Sequence, residues 1–562
     1  MGVSNKSITF ATRIYKLLKM KKKNLWMLTA ILTCGLGMTL TSCSDSDDKD
    51  NDKEIIKPST GDDSYTIEVG EGMTMPENEF LTKVPATTDF DQSIVDALKA
   101  IDKVTDVKPF KLSTAYDYYK NKSIEKTAYY FNYKQDIDHN SPSKGWYKQQ
   151  CVLTVAGKDR PTVLHTEGYA IEGDHNRLDY AGEPTLVSVL NANCLQVEYR
   201  YHGWSLPEGY TNKWNYLTAK QHSDDLHAIV TAIKQSGIIA KSSKWVATGV
   251  SKNGMTTAHY AYYYPNEMDA YVPFCAPFLT DLRDRGPFTY ILDQKAFDDN
   301  TERYEKVKAA FRAYVGNRDL QAECVKLYKQ LKPEEASSSD EEVRISLLLD
   351  LFGNYYPKMS YVTYERWEPM IPQTGDKAEK FLDFILANDK TKYNGETQGE
   401  YDRRMYYVKD LEPASYSSET SSNLARRGAS AVTRDDPYYV QVCIELGSYG
   451  YVTTWVDDLL TAEEKKKILD SGFNPSTYGV TYDNGKFIKE FFEGMKKSTC
   501  HMKFVYGMQD PWTGGQIPDD KMGPNSSKLF ISHGKHDDFI YQWNASERND
   551  LFQWLAGLGF DL

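Results

Sequence analysis

The stretch Thr248-Gly249-Val250-Ser251-Lys252-Asn253-Gly254-Met255 differs by one letter from G-x-S-x-G, the turn that presents a nucleophilic serine between a strand and a helix. Asn253 stands where the second glycine should be, and Gly254 comes one place later. The flanks supply the context the motif needs. "KWVATGV" before Ser251 reads as a buried strand, and "GMTTAHYAYYYP" after it reads as a helix ending before Pro265. The nucleophile of such a turn sits on strained backbone, so its neighbours must be small or tolerate positive φ. Gly249 meets that demand, and asparagine is the residue after glycine that best tolerates left-handed φ. A G-x-S alone reads better as a turn serine, so the rest of the chain must decide.

Upstream, "AYYFNYKQDI", "WYKQQCVLTVAG", "PTVLHTEGY" and "NCLQVEYRY" read as strands separated by turn clusters. In "SDDLHAIVTAIKQSG", Leu226, Ile229, Val230 and Ile233 fall on one helical face that a glycine ends. "DAYVPFCAP" is the next buried strand. Strand, helix, strand, tight turn, helix, strand predicts an α/β fold with a doubly wound sheet. Between 284 and 496 that rhythm is lost. Segments such as "EEVRISLLLDLFGNYY" look helical and predict a mostly helical insertion. The rhythm resumes with "HMKFVYGMQDPW", "SKLFISHGKHDDFI" and the helix "SERNDLFQWLAGLG".

A serine hydroxyl needs a base to take its proton and a carboxylate to orient that base. In hydrolases of this type the order along the chain is serine, acid, histidine, the last two on loops after late strands. Asp510 follows "MKFVYG", while His533 and His536 follow "KLFIS". The Lys252 N–H, opening the helix after the serine, would face the oxyanion. A second donor is expected in the turn after "LQVEY", placed at Tyr201.

With these residues in view, the chain resembles the secreted bacterial prolyl tri/tetrapeptidyl aminopeptidases, serine peptidases of the α/β-hydrolase clan related to Pro-Xaa carboxypeptidases. The likeness covers about 130–280 and 499–540, and rests on "IDHNSPSKGWYKQQ", "RPTVLHTEGYAI", "LQVEYRYHGWSLPEG", "WNYLTAKQHSDDLHAIVTAIK", "SKWVATGVSKNGMTTAHYAYYYPNEMDAYVPFCAP", "YGMQDPW" and "HGKHDDF". It implies an α/β-hydrolase fold with Ser251 as nucleophile, Asp510 as acid and His536, rather than His533, as base. It also implies short peptides with a free N-terminus as substrates, cleaved after proline, and no cofactor. Asn253, where the family has glycine, and Asp537-Asp538, where it has a small pair, are departures. For the substrate ammonium Glu198 is one candidate carboxylate, with the alternative that it pairs with Arg200. An esterase of the same fold, or a surface binding lipoprotein with a decayed triad, are the rival readings.

The N-terminus carries Lys21-Lys22-Lys23, an apolar run from Leu25 to Leu40, and Leu40-Thr41-Ser42-Cys43. This is the pattern of a secretory signal, with Met20 placed as a natural start. The run is too short for a comfortable membrane span. "LTSC" resembles a lipobox, implying that Cys43 is lipidated and anchors the protein at the outer membrane or cell surface; a plain signal peptide or a buried helix is the alternative. "SDSDDKDNDKE" then reads as a solvated tether. The expected organisation is signal peptide 1–42, tether 43–75, hydrolase core 76–283, helical lid 284–496 and the remaining core 497–562.

Composition narrows the class further. With 79 acidic against 67 basic residues there is no electrostatic footprint for nucleic acid. The six cysteines beyond Cys43 are scattered, without metal-ligand spacing, so no zinc site is expected.

Overall fold

A computed structural model of the chain describes residues 87–112, 116–117, 122–171, 184–206, 214–353, 355, 359, 364–386, 436–536 and 540–562. The expected signal peptide, Cys43, the tether and the Asp537-Asp538 pair lie outside the described residues. Among the described residues no helix is long and apolar enough to cross a membrane.

Nine strands form one sheet: β1 Val104–Leu112, β2 Lys126–Asp136, β3 Trp146–Thr154, β4 Thr162–Thr166, β5 Asn193–Val197, β6 Trp245–Val250, β7 Ala270–Phe274, β8 Met502–Gly507 and β9 Ser526–Ile531. Their spatial order is β1-β2-β3-β5-β4-β6-β7-β8-β9. The first four in that order pair antiparallel, and all pairs from β5/β4 onward are parallel. The sheet is therefore mixed, where the βα rhythm alone predicts a parallel one. An antiparallel front, the exchange of β4 and β5, and a parallel remainder make this the α/β-hydrolase fold.

Period-two alternation explains how the sheet holds its helices. On β6, Trp245 and Ala247 face one core while Val246 faces the other; on β8, Phe504 and Tyr506 face the first and Val505 the second. The first core packs helices α1 (Gln92–Lys99), α3 (Ala219–Ser236), α4 (Lys252–Tyr263) and α10 (Lys486–Met495). The second packs α2 (Thr185–Leu190) and α11 (Ala545–Gly557). Helix α3 begins where the Thr218 side chain accepts the Gln221 N–H, and stops at Gly237 with φ 78°.

Between β7 and β8 the longer regular elements of the described residues are helical: α5 Thr301–Val315, α6 Arg318–Leu331, α7 Asp340–Gly353, α8 Ala378–Ile385, α9 Ala462–Asp470 and α10. Most of them share their own apolar core around Phe311, Tyr355, Trp367 and Trp455. This segment reaches the C-terminal ends of the strands from both sides. Tyr290 donates its hydroxyl to Met508 O at 2.6 Å and Lys535 its ammonium to Met359 O at 3.0 Å. On the other side Gln441 Nε2 donates to the Tyr199 hydroxyl at 2.7 Å.

Candidate active site

Ser251 follows β6 directly and is the N-cap of α4, with φ 61° and ψ −124°. A non-glycine residue there carries real strain, tolerated only where its surroundings hold it. They do: its N–H donates to Phe274 O at 2.9 Å, and the Met255 N–H returns to Ser251 O at 2.9 Å. The small neighbours serve close approach, not unusual backbone. A Cβ on Gly249 would lie 2.6 Å from the Asn253 carbonyl carbon, and one on Gly254 would lie 2.6 Å from Phe274 O. Asn253 is an ordinary residue of helix α4, so its tolerance of left-handed φ is not used. The positive φ belongs to the serine itself.

The Asn253 side chain has a different task. Its Oδ1 accepts the Gly168 N–H at 2.7 Å and its Nδ2 donates to Glu167 Oε2 at 2.8 Å. These partners lie on the loop after β4, the strand beside β6. The Lys252 side chain braces the same loop: Nζ donates to Gly168 O at 2.5 Å and sits 4.0 Å from the Tyr199 ring centroid, with Tyr169 and Tyr438 further round. Burial pushes this ammonium well below its usual range and pushes the Glu167 carboxyl well above its own. The Lys252 N–H, as a first-turn group, has no acceptor within its helix.

The Tyr201 N–H is not open for the expected role of second donor. Its N–H is committed to Ser205 O at 2.8 Å within its own turn, and its ring is buried against Trp214. The backbone beside the elbow is instead the Glu167–Gly168 loop. Glu198 is also not open to a substrate: its carboxylate accepts from Gln150 Nε2, the Ser205 hydroxyl and the N–H groups of Ile171, Trp204 and Ser205. Nor does it pair with Arg200, which forks onto Asp225 with 2.7 and 2.6 Å contacts.

At the neighbouring strand ends, Asp510 and His536 meet. His536 Nδ1 lies 2.8 Å from Asp510 Oδ2, both side chains buried. A carboxylate accepts, so Nδ1 carries the proton and Nε2 keeps its lone pair. Asp510 is fixed in turn by the Trp512 N–H at 3.1 Å. Two glycines set the register: a Cβ on Gly507 would lie 2.4 Å from Gly534 O, and the Gln509 N–H donates to Gly534 O at 2.9 Å. His533 is 81% exposed and turns to Asp298, so the structure joins His536 and not His533 to the acid. The glycines were visible as letters in "YGMQD" and "SHGKH"; their contact across two loops was not.

Ser251, Asp510 and His536 thus lie at the C-terminal ends of β6, β8 and β9, with β7 between them. Residues 100–313 match the PS-10 peptidase S37 family. The chain resembles the S37 peptidases. It is also 25% identical over 422 residues, 74% of this chain and 76% of the other, to a prolyl tri/tetrapeptidyl aminopeptidase of Streptomyces mobaraensis. Among solved structures, the tannin acyl hydrolase of Aspergillus niger covers 85% of this chain and 88% of its own at 11% identity and a TM-score of 0.35. The proline iminopeptidase of Mycobacterium smegmatis covers 73% and 95% at 10% identity and 0.32. The S37 resemblance includes the elbow, the loop after β4 and the Arg200–Asp225 pair, all within 100–313.

Proposed function

We propose that this chain is an exported serine peptidase that releases short, proline-ended peptides from substrates with a free N-terminus. The observation that carries the reading is the buried His536–Asp510 pair beside an elbow whose strained residue is Ser251. The S37 match and the aminopeptidase relative support peptides as the substrate class.

Ser251 Oγ attacks the peptide carbonyl as its proton passes to His536 Nε2, and Asp510 holds the imidazole and stabilises its charged form. The Lys252 N–H meets the developing oxyanion, and the braced loop after β4 forms the facing wall. His536 then protonates the leaving amine, and water repeats the sequence on the acyl-enzyme. The helical segment between β7 and β8, anchored through Tyr290, Lys535 and Gln441 around the strand ends, acts as a lid that admits short or free-ended chains. Cys43 is the lipidation site that ties the catalytic part to the membrane outside the cytoplasm.

A fluorophosphonate probe tests the nucleophile: it labels the wild-type chain and not Ser251→Ala, and equal labelling of both sinks the assignment. Assays of proline-ended peptide amides beside short acyl esters test the substrate. Activity on esters alone would show an esterase, and no labelling at all a binding protein. Unchanged membrane fractionation of Cys43→Ser would refute lipidation.

A further inference from the structure

Cys275, the residue after β7, is buried at φ 47° with its N–H donated to Val505 O at 2.7 Å. That strand runs between the serine's strand and the acid's strand, so its end projects into the middle of the site. The thiol sulfur, one ring nitrogen of His536 and one carboxylate oxygen of Asp510 all lie within 4.8 Å of one another, and all three residues are buried. Cys275 Sγ is also 4.0 Å from Lys535 O, the carbonyl immediately before His536. Chain spacing hid this cluster: its members are separated by more than two hundred positions and then by 26.

We infer that Cys275, His536 and Asp510 form an inhibitory site for a thiophilic divalent cation such as zinc or cadmium. Sulfur, imidazole nitrogen and carboxylate oxygen are the donor types that zinc takes, and a tetrahedral ion holds such donors roughly 3.2–3.6 Å apart. The cluster is within about 1.5 Å of that spacing. On binding, the Cys275 thiol gives its proton to solvent and the thiolate coordinates the ion, with no change of oxidation state. Coordination through His536 Nε2 consumes the lone pair the serine needs; coordination through Nδ1 leaves the remaining proton on Nε2. Either way His536 no longer accepts the Ser251 proton, and the metal switches off the base without touching the nucleophile.

Inhibition rests on the peptidase reading, whereas metal binding does not, and the test separates them. Cadmium is titrated into the full chain carrying Ser251→Ala while the ultraviolet charge-transfer band of a cadmium thiolate is followed. The expected result is a band saturating at one ion per chain and missing from Ser251→Ala/Cys275→Ala. A band that never appears, or persists in the double variant, overturns the site. With Ser251 intact, zinc inhibits hydrolysis of a proline-ended peptide amide and a chelator restores it. Cys275→Ala raises the half-inhibitory zinc concentration at least tenfold, and an unchanged value overturns the inhibition. A melting curve establishes that each variant is folded, with Cys275→Ser replacing Cys275→Ala if the latter is not. A cadmium band without hydrolysis of any peptide would refute the peptidase reading and leave the site standing.

Discussion

Two buried aspartates differ in what surrounds them. Asp225, on α3, accepts both arms of the Arg200 fork, the Tyr147 hydroxyl at 3.0 Å and His139 Nε2 at 2.8 Å. These partners hold its carboxyl far below the usual range despite its burial. Asp510, equally buried, is met among the described residues by the His536 imidazole and the Trp512 N–H. A carboxylate whose charge is matched by a guanidinium is finished chemically and fixes the fold. One that faces an imidazole can stabilise a charge that appears there later, which is what a triad acid must do. The comparison teaches that two equally buried carboxyls are told apart by their charge balance, and that Asp510 has the one the proposed triad requires.

The sharpest way to break it is to remove charge from each aspartate in turn. Asp510→Asn is expected to lower kcat by roughly 10⁴-fold with little change in melting temperature, as is His536→Ala, while His533→Ala leaves kcat near wild type. Steady-state kinetics beside thermal melts read this, and a kinetic cost at His533 would relocate the base. Asp225→Asn is expected to do the opposite, destabilising the chain by about 3–5 kcal/mol through the guanidinium left unpaired. Denaturant unfolding measures that, and a stable but inactive Asp225→Asn would undo the distinction.

A smaller effect is expected at the elbow. Asn253→Ala leaves the Gly168 N–H without its acceptor and takes one partner from Glu167, which keeps His165, at a cost of about 1–3 kcal/mol. If the loop shapes the oxyanion site, kcat falls while KM holds; a change in KM alone would make Asn253 a substrate contact. The smallest concerns a third buried carboxyl, Glu445, which accepts the Ala219 N–H at 2.7 Å and is raised by burial to about 7. Its folded value exceeds its ordinary 4.5, so the folded state holds the proton more tightly. The stability of the neutral acid is complete below about pH 4.5 and lost as pH rises through 7. Glu445→Gln should therefore raise the melting temperature more at pH 8 than at pH 5, and an equal gain at both would show that the carboxyl does not titrate there.

The parts legible in the sequence were those in which local pattern and final geometry coincide. Ser251, Asp510 and the pair His533 and His536 each follow a strand within a few residues, so strand periodicity and short loop motifs bring them into view, while the preference for His536 over His533 comes from the family resemblance. Arg200 meeting Asp225 rather than Glu198 depends on where a turn lands on a helix 25 positions later, which periodicity does not encode. The Tyr201 N–H is taken up for a related reason: its turn closes on itself through Ser205 O, and the strand exchange brings the β4 loop beside the elbow. Asn253 was misread through its backbone propensity, because the helix starts at Lys252 and leaves only its side chain free to act.

The long excursion between Phe274 and Met502 has a consequence for the order of events during folding. Closing a loop of that length costs roughly 5 kcal/mol of chain entropy before β8 can dock beside β7. In a chain emerging from its amino end, Ser251 and its turn are made hundreds of residues before His536. A serine that acts through His536, as proposed, is therefore inert until the last strands dock, and activity is a property of the finished molecule alone.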